Sequence, residues 1–317
     1  MSSLAQAQQR SELQPLFVRQ IRAVLKKPEV EIDLTRVKLI IDKLIDPDID
    51  AESASKRLDS MIAEIKSRLP VNATSRDKME ALRAHLYQPG PWNGNQPYHY
   101  DFDDPLGTNI RSKLLPVYLS TKKGNCVSMP LLFVILGQKL GVDVTIATAP
   151  LHVLVKYRND AGIWYDFEAT SNGFAVDATY QRQYGITPEA MANQIYLKPL
   201  TKRETASVMM ETVMEFFHDQ GREDERIAMA NLALEYHPKN VSAMVHQASA
   251  SVHLINAYKR KYPNPRDLPK DKQMDFIALQ DGVVYWYRKA ESLGWYRPGP
   301  EVEASYLQMI NRVKVTQ

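Results

Sequence analysis

The sequence predicts an α+β protein, with helical regions at both ends of the chain. Between them a helix that starts beside a cysteine leads into a small antiparallel set of strands. Three observations carry this expectation. Apolar residues recur at helical spacing from Ser11 to about Leu69 and again from Thr201 onward. Between Val142 and Ala169 three short β-rich runs are separated by turn residues. The single cysteine, Cys126, stands just before the apolar run Leu131 to Leu140.

The elements follow in order. Leu16, Phe17, Ile21, Val24 and Leu25 form one helical stripe, and Leu58, Met61, Ile62, Ile65 and Leu69 another. Between them Asp33-Leu34-Thr35-Arg36 can cap a helix running to about Ile45, which Asp46-Pro47-Asp48 ends. After Pro70 a helix is expected at about Arg76 to Leu86. Residues 87–109 then hold too many Gly, Pro, Asn and Asp residues for a regular element and read as a long ordered loop that could cover a cleft. Deleting it would on that reading alter substrate access more than stability. A helical stretch is expected from about Asn109 to Thr121.

Pro130 belongs in the first turn of a helix, so helix begins within a few residues of Cys126 and ends at Gly141. Strands are expected over Val142 to Thr148, His152 to Tyr157 and Ile163 to Ala169, with Asn159-Asp160-Ala161-Gly162 as a hairpin turn. A turn centred near residue 160 sets His152 opposite Glu168 and leaves Asp166 two positions away. From Thr170 to Pro199 the chain reads as less regular. Beyond it, Val208, Val213, Phe216 and Phe217 mark one helix, and Ile227, Met229, Ala230 and Ala233 the next. Ala233 followed by Pro238 after a helix-turn-helix has tetratricopeptide texture, and a second degenerate copy starts near Val241, breaks at Tyr262-Pro263-Asn264-Pro265 and resumes at Ala278. Three regions are expected: 1–70 helical, 71–200 the cysteine-bearing core, and 201–317 a helical domain of tetratricopeptide type.

Composition excludes several classes. The chain has 317 residues, 44% of them hydrophobic and 24% charged, enough to bury a sizeable core in two or three domains. Forty Lys and Arg against thirty-seven Asp and Glu leave a net charge of only +3 without long basic blocks, so nucleic acid is not the expected partner. One cysteine forbids an intramolecular disulfide, and Cys and His are not paired at zinc-ligand spacing. No metal or organic cofactor is expected. Met1 to Gln14 is polar and lacks an apolar signal core, and no run approaches the roughly 18 apolar residues of a membrane span. A cytoplasmic, reducing location is the expectation.

The chemistry rests on three side chains. A cysteine at a helix N-terminus is where the exposed N–H groups and the helix dipole favour thiolate. His152 could take its proton, and Glu168, or Asp166 as the alternative acid, could orient the imidazole. A developing oxyanion could be held by the Cys126 N–H with the Asn125 amide or Tyr118. Each residue also has a plainer reading: Cys126 as a small buried residue, His152 as a core histidine bonded to backbone, Glu168 and Asp166 as solvent-facing acids. His99, Asp101, Asp103 and Asp104 form an oxygen-rich cluster, but they lack the Gly and Glu of a calcium loop and read equally as a turn. Trp92, Tyr98 and Tyr100 read as packing or cleft wall.

A family is visible in Asp48-Ile49-Asp50 with Leu58-Asp59, in Trp92-Asn93-Gly94-Asn95 and in Asp103-Asp104-Pro105-Leu106-Gly107. The same holds for Lys123-Gly124-Asn125-Cys126-Val127-Ser128-Met129-Pro130, Ala149-Pro150-Leu151-His152 and Phe167-Glu168-Ala169-Thr170. Through these stretches residues 30–175 resemble the bacterial transglutaminase-like proteins that carry a helical N-terminal segment and a tetratricopeptide-type extension. The resemblance implies a papain-like core in which the cysteine-bearing helix packs on an antiparallel sheet. It implies Cys126 as nucleophile and His152 as base, with Glu168 where the superfamily usually has aspartate. The function expected is acyl transfer on a protein or peptide substrate, by hydrolysis or transamidation. The alternative is a non-catalytic scaffold whose helices in 201–317 bind a protein or peptide partner.

Overall fold

The computed structural model describes residues 15–297 and, beyond them, positions 299, 304, 307, 308 and 310. The polar segment expected over Met1 to Gln14, the start of the first helical pattern at Ser11, and the end of the 201–317 region lie outside the described residues. In space the chain forms two units. Residues 15–45 fold together with Lys202–Tyr296, and Asp46–Thr201 form the other unit. The expectation of three blocks in chain order is thus replaced by a division in which the early helices join the late ones.

The first unit opens with α1 (Leu16–Leu25), which buries Phe17, Val18, Ile21, Val24 and Leu25. In α2 (Leu34–Ile45) the Asp33 carboxylate accepts from the Thr35 N–H at 2.9 Å, satisfying one of the donors that a helix start leaves without a partner. One turn inside α2, Lys38 and Asp42 form an ion pair whose side chains are 1% and 0% exposed. Removing one member of such a pair strands a buried charge. Asp42→Ala is expected to lower unfolding free energy by about 3–5 kcal/mol in urea titration, while the double variant Lys38→Met, Asp42→Leu regains most of it.

The second unit starts with α3 (Ala51–Lys66), capped by Asp50 on the Ser53 N–H, and α4 (Ser75–Tyr87), closed by a reciprocal capping box between Thr74 and Asp77. The following loop contributes β1 (His99–Tyr100), which pairs in parallel with β2 (Lys123–Gly124). The single helix expected over Asn109 to Thr121 is two pieces, a 3-10 turn at Ile110–Lys113 and α5 (Leu115–Thr121). Pro116 explains the break, since it carries no N–H to continue a helix running through it.

Helix α6 (Ser128–Lys139) is buried at every position from Ser128 to Gly137, as an apolar sequence without a polar face requires. Four antiparallel strands follow in the order β3 (Asp143–Ala149), β4 (His152–Arg158), β5 (Trp164–Glu168) and β6 (Gly173–Ala175). Helix α6 covers one face of this sheet. Phe133 stacks obliquely on Phe167 of β5 with ring centres 4.6 Å apart, and a Cβ on Gly137 would come within 2.6 Å of Val144 on β3. The outer edge of β3 is covered by the chain near its return, where the Leu197 and Leu200 N–H groups donate to the Thr148 and Ile146 carbonyls. Strand β6 and the short helices α7 (Asp177–Gln183) and α8 (Pro188–Ala192) occupy the stretch expected to be irregular.

The β4–β5 register differs from the expected one. Val155 pairs with Phe167 and Lys156 with Asp166, so the hairpin is centred on residue 161 rather than 160. The cause is a three-residue loop: the Gly162 N–H donates to the Asn159 carbonyl, the Asn159 N–H to the Ile163 carbonyl, and Gly162 takes φ +80°. This shift leaves Asp166 directly across from Lys156 and makes Glu168 a diagonal neighbour of His152 on the same face.

The chain then returns to the first unit with α9 (Lys202–Met209), α10 (Glu211–Asp219), α11 (Glu223–Tyr236), α12 (Val241–Lys261) and α13 (Lys270–Ser292). The Arg203 guanidinium donates to the Leu25 carbonyl and to Glu29, tying α9 to the segment after α1. Asn240 caps α12 on the Ala243 N–H and donates to Ser207, whose hydroxyl donates to the Ala233 carbonyl. The break expected at residues 262–265 separates α12 from α13, which starts at Lys270 rather than Ala278. No described helix is long and apolar enough to cross a membrane.

Candidate active site

Cys126 lies in the turn between β2 and α6, two residues before the first residue of the helix, and is half-buried. The residue before it builds this turn. The Asn125 side-chain carbonyl accepts from the Val127 N–H at 3.0 Å and the Ser128 N–H at 3.1 Å, and its amide donates to the Ser112 hydroxyl at 2.9 Å. Asn125 is therefore the helix cap, buried, with its amide directed to Ser112 and not to an oxyanion. Tyr118, the other expected oxyanion donor, is fully buried, with its ring 5.3 Å from that of Tyr98 and against Gly124. Burial raises its pKa well above the usual phenol value. Both side chains are committed to the core.

His152 opens β4 after the Pro150-Leu151 turn, where Leu151 is held at φ +59°. Its Nε2 lies 2.7 Å from Glu168 Oε2. Its ring also interacts with the Cys126 side chain, which favours the protonated imidazole. Cysteine, imidazole and carboxylate thus lie together. The Cys126 sulfur is in addition 3.9 Å from the Leu151 carbonyl.

Every acceptor position of Glu168 is used. Oε1 accepts from the Thr170 N–H at 3.0 Å and the Thr170 hydroxyl at 2.6 Å, and Oε2 accepts from the Tyr180 hydroxyl at 2.9 Å as well as from His152. Tyr180 and Tyr184, one turn apart on and just beyond α7, stack over the His152 ring with centres at 6.1 and 5.6 Å. Burial alone would lower the His152 pKa. The Glu168 charge and the bond to Cys126 outweigh it and push the pKa up to about 10. Glu168, despite its own burial, is held below the usual carboxylate value by His152 and Thr170.

Thr170 enters the sequence expectation only as part of a motif, without a role, and Tyr180 and Tyr184 are absent from it. The i,i+4 spacing of the two tyrosines was available as a signal, but only the sheet places them over His152. Asp166, the alternative acid, faces Lys156 at 2.7 Å, and Lys156 also reaches Asp177 at the start of α7 at 2.5 Å. Burial raises Asp166 to about 6 against the pull of Lys156. This acid serves a structural clamp.

A sequence model of the transglutaminase-like superfamily matches residues 52–211, about half of the chain and all three of Cys126, His152 and Glu168. The chain belongs to the transglutaminase-like superfamily. Among curated proteins, the UPF0162 protein of Xylella fastidiosa strain 9a5c is 21% identical over 252 residues, spanning 75% of this chain and 86% of that protein. The UPF0162 protein of strain Temecula1 matches with the same identity and coverage. No solved structure shows a significant match.

Within the transglutaminase-like domain the loop over residues 87–109 is not a detachable lid. Tyr98 and Tyr100 are buried, the Tyr98 N–H donates to the Leu86 carbonyl, and β1 belongs to a sheet. The oxygen-rich cluster dissolves into turns: Asp104 accepts from the Thr108 and Asn109 N–H groups, and Asp103 pairs with Lys123. Outside this domain, among the described residues, His218, Glu223 and His253 bring their ligand atoms within 4.8 Å of one another. Arg226 already occupies that group, with Nη1 3.1 Å from His218 Nδ1 and 3.0 Å from Glu223 Oε2, so a metal ion there would have to displace a guanidinium.

Proposed function

We propose that this chain is a cysteine-dependent acyl-transfer enzyme, an amide or peptide hydrolase or a transamidase. The observation that carries the reading is the grouping of Cys126 beside His152, whose Nε2 is hydrogen-bonded to Glu168. Cys126 thiolate adds to an acyl carbonyl, and the Cys126 N–H, at the start of the helix, stabilises the oxyanion. Collapse expels the leaving group, which takes the proton from His152, and a thioester remains. His152 then deprotonates water or an amine, which displaces the sulfur and restores the thiolate–imidazolium pair. Glu168 holds the imidazole in place and stabilises its positive form.

A second reading has its own observation. The helices of residues 201–297 carry a groove of about 500 Å³ lined by Ile227, Leu254, Tyr258 and Leu279 with Asp224 and Lys261. A protein or peptide partner seated there would make the transglutaminase-like domain a scaffold.

One experiment separates the two. With p-nitrophenyl acetate the protein is expected to release a burst of about one equivalent of p-nitrophenol and to carry an acetyl group on the Cys126 peptide; Cys126→Ala does neither. Acetylation no faster than that of N-acetylcysteine would leave the scaffold reading.

A further inference from the structure

A cavity of about 320 Å³ lies in the transglutaminase-like domain between α3, the C-terminal end of α4, the turn at residues 91–98 and Lys122. We propose that this cavity binds a compact oxyanion, a phosphate or carboxylate group carried by a small molecule, with Arg57 and Lys122 as its charged contacts. Its size falls at the lower end of small-molecule sites.

The cavity lining carries two cations, Arg57 and Lys122, against one acid, Glu64. Arg57 reaches the Tyr98 hydroxyl only at 3.5 Å, and Lys122 donates to the main-chain carbonyls of Asn93 and Gln96 at 2.5 and 2.9 Å. Neither cation has an ion-pair partner among the described residues, and the Lys122 pKa is lowered by burial and by the charge of Arg57. Two positive groups that repel each other across a hollow define where an anion would be stabilised. Glu64, the acid in the lining, also acts electrostatically on Arg68.

Trp92 supplies the second observation. Its indole N–H has no acceptor among the described residues, and its ring lines the cavity, so its NMR signal reports on what fills that space. The ring itself is fixed. The Arg68 guanidinium sits 4.0 Å from its centre, the His85 ring stacks on it at 6.4 Å, and it packs so closely on Gly90 that a Cβ there would lie 2.4 Å from it. Burial and Arg68 push His85 down to about 4, so it stays neutral at physiological pH and adds no competing charge. The site is separate from Cys126, and its occupancy is independent of acyl transfer.

The test is NMR titration of the 15N-labelled full chain with inorganic phosphate and, in parallel, citrate, which distinguish the two oxyanion sources. The four indole N–H signals are read, with Trp92 assigned by Trp92→Phe. The Trp92 signal is expected to move downfield and saturate with at least one of the two anions, and Arg57→Gln, at an exposed helix position, to weaken that binding at least tenfold. A shift no larger than that caused by sodium chloride at equal ionic strength overturns the site. So does a saturable shift that Arg57→Gln leaves unchanged.

Discussion

Alkylation of Cys126 by iodoacetamide is expected to proceed at a nearly constant rate from pH 6 to 9 in the native chain, and to rise about 160-fold between pH 6 and 8.5 in His152→Ala. An imidazolium bonded to the sulfur keeps it thiolate across that range, whereas a lone cysteine titrates near about 8.5 and gains roughly tenfold per pH unit below it. The shape of the profile is the diagnostic quantity. At pH 6 the two proteins differ by far less than their thiolate fractions, because a thiolate of low pKa is also a weaker nucleophile, with a Brønsted coefficient of about 0.4–0.5. A native profile that titrates near 8.5 and ignores the substitution would remove the activated nucleophile.

Glu168→Gln is expected to lower unfolding free energy by about 3–5 kcal/mol near pH 6, read by urea titration, because it leaves a buried histidine without its counter-charge. The substitution is nearly isosteric, yet it fails on hydrogen-bond count. One carboxylate oxygen accepts two donors from Thr170, and the other accepts two from His152 and Tyr180. An amide has only one oxygen, so its NH2 must face either the Thr170 N–H or the His152 imidazolium, neither of which can accept. The pH dependence follows from the two shifts. His152 is raised from 6.5 to about 10, so its contribution is complete below about 6.5 and is lost as pH climbs toward 10. Glu168 is lowered from 4.5, so its contribution is present above about 4.5 and is lost as pH falls through the folded value. The difference between native protein and variant is therefore expected to peak between about pH 4.5 and 6.5. A difference that stays constant from pH 4 to 9 would show that the carboxylate and imidazole do not share a charge.

Local chemistry was legible in the amino-acid sequence wherever the causes lie within a few residues. Asp33 caps a helix because its side chain reaches the Thr35 N–H two positions on. Pro130 and Gly141 bound the buried helix, and the run of apolar residues between them leaves no polar face to expose. Alternation and turn residues located β3, β4 and β5 to within one residue at most ends. Cys126, His152 and Glu168 were picked from the sequence, and the structure brings those three side chains together.

What depended on distant contacts was decided only in the tertiary structure. A left-handed glycine, Gly162, moved the hairpin by one position, and that shift assigned Asp166 to Lys156 and gave Glu168 its diagonal reach to His152. Asn125 could have aimed its amide at the thiol, but Ser112, thirteen residues earlier, claims it. Tyr180 and Tyr184 close over the imidazole although nothing in the spacing of residues 152 and 180 marks them as neighbours. Residues 15–45 fold with those beyond 201 because groups such as Glu29 and the Leu25 carbonyl find their partners in Arg203. Capping and periodicity act over one helical turn, whereas side-chain partners are chosen by whatever the folded chain brings within about 3 Å, and no local pattern records that choice.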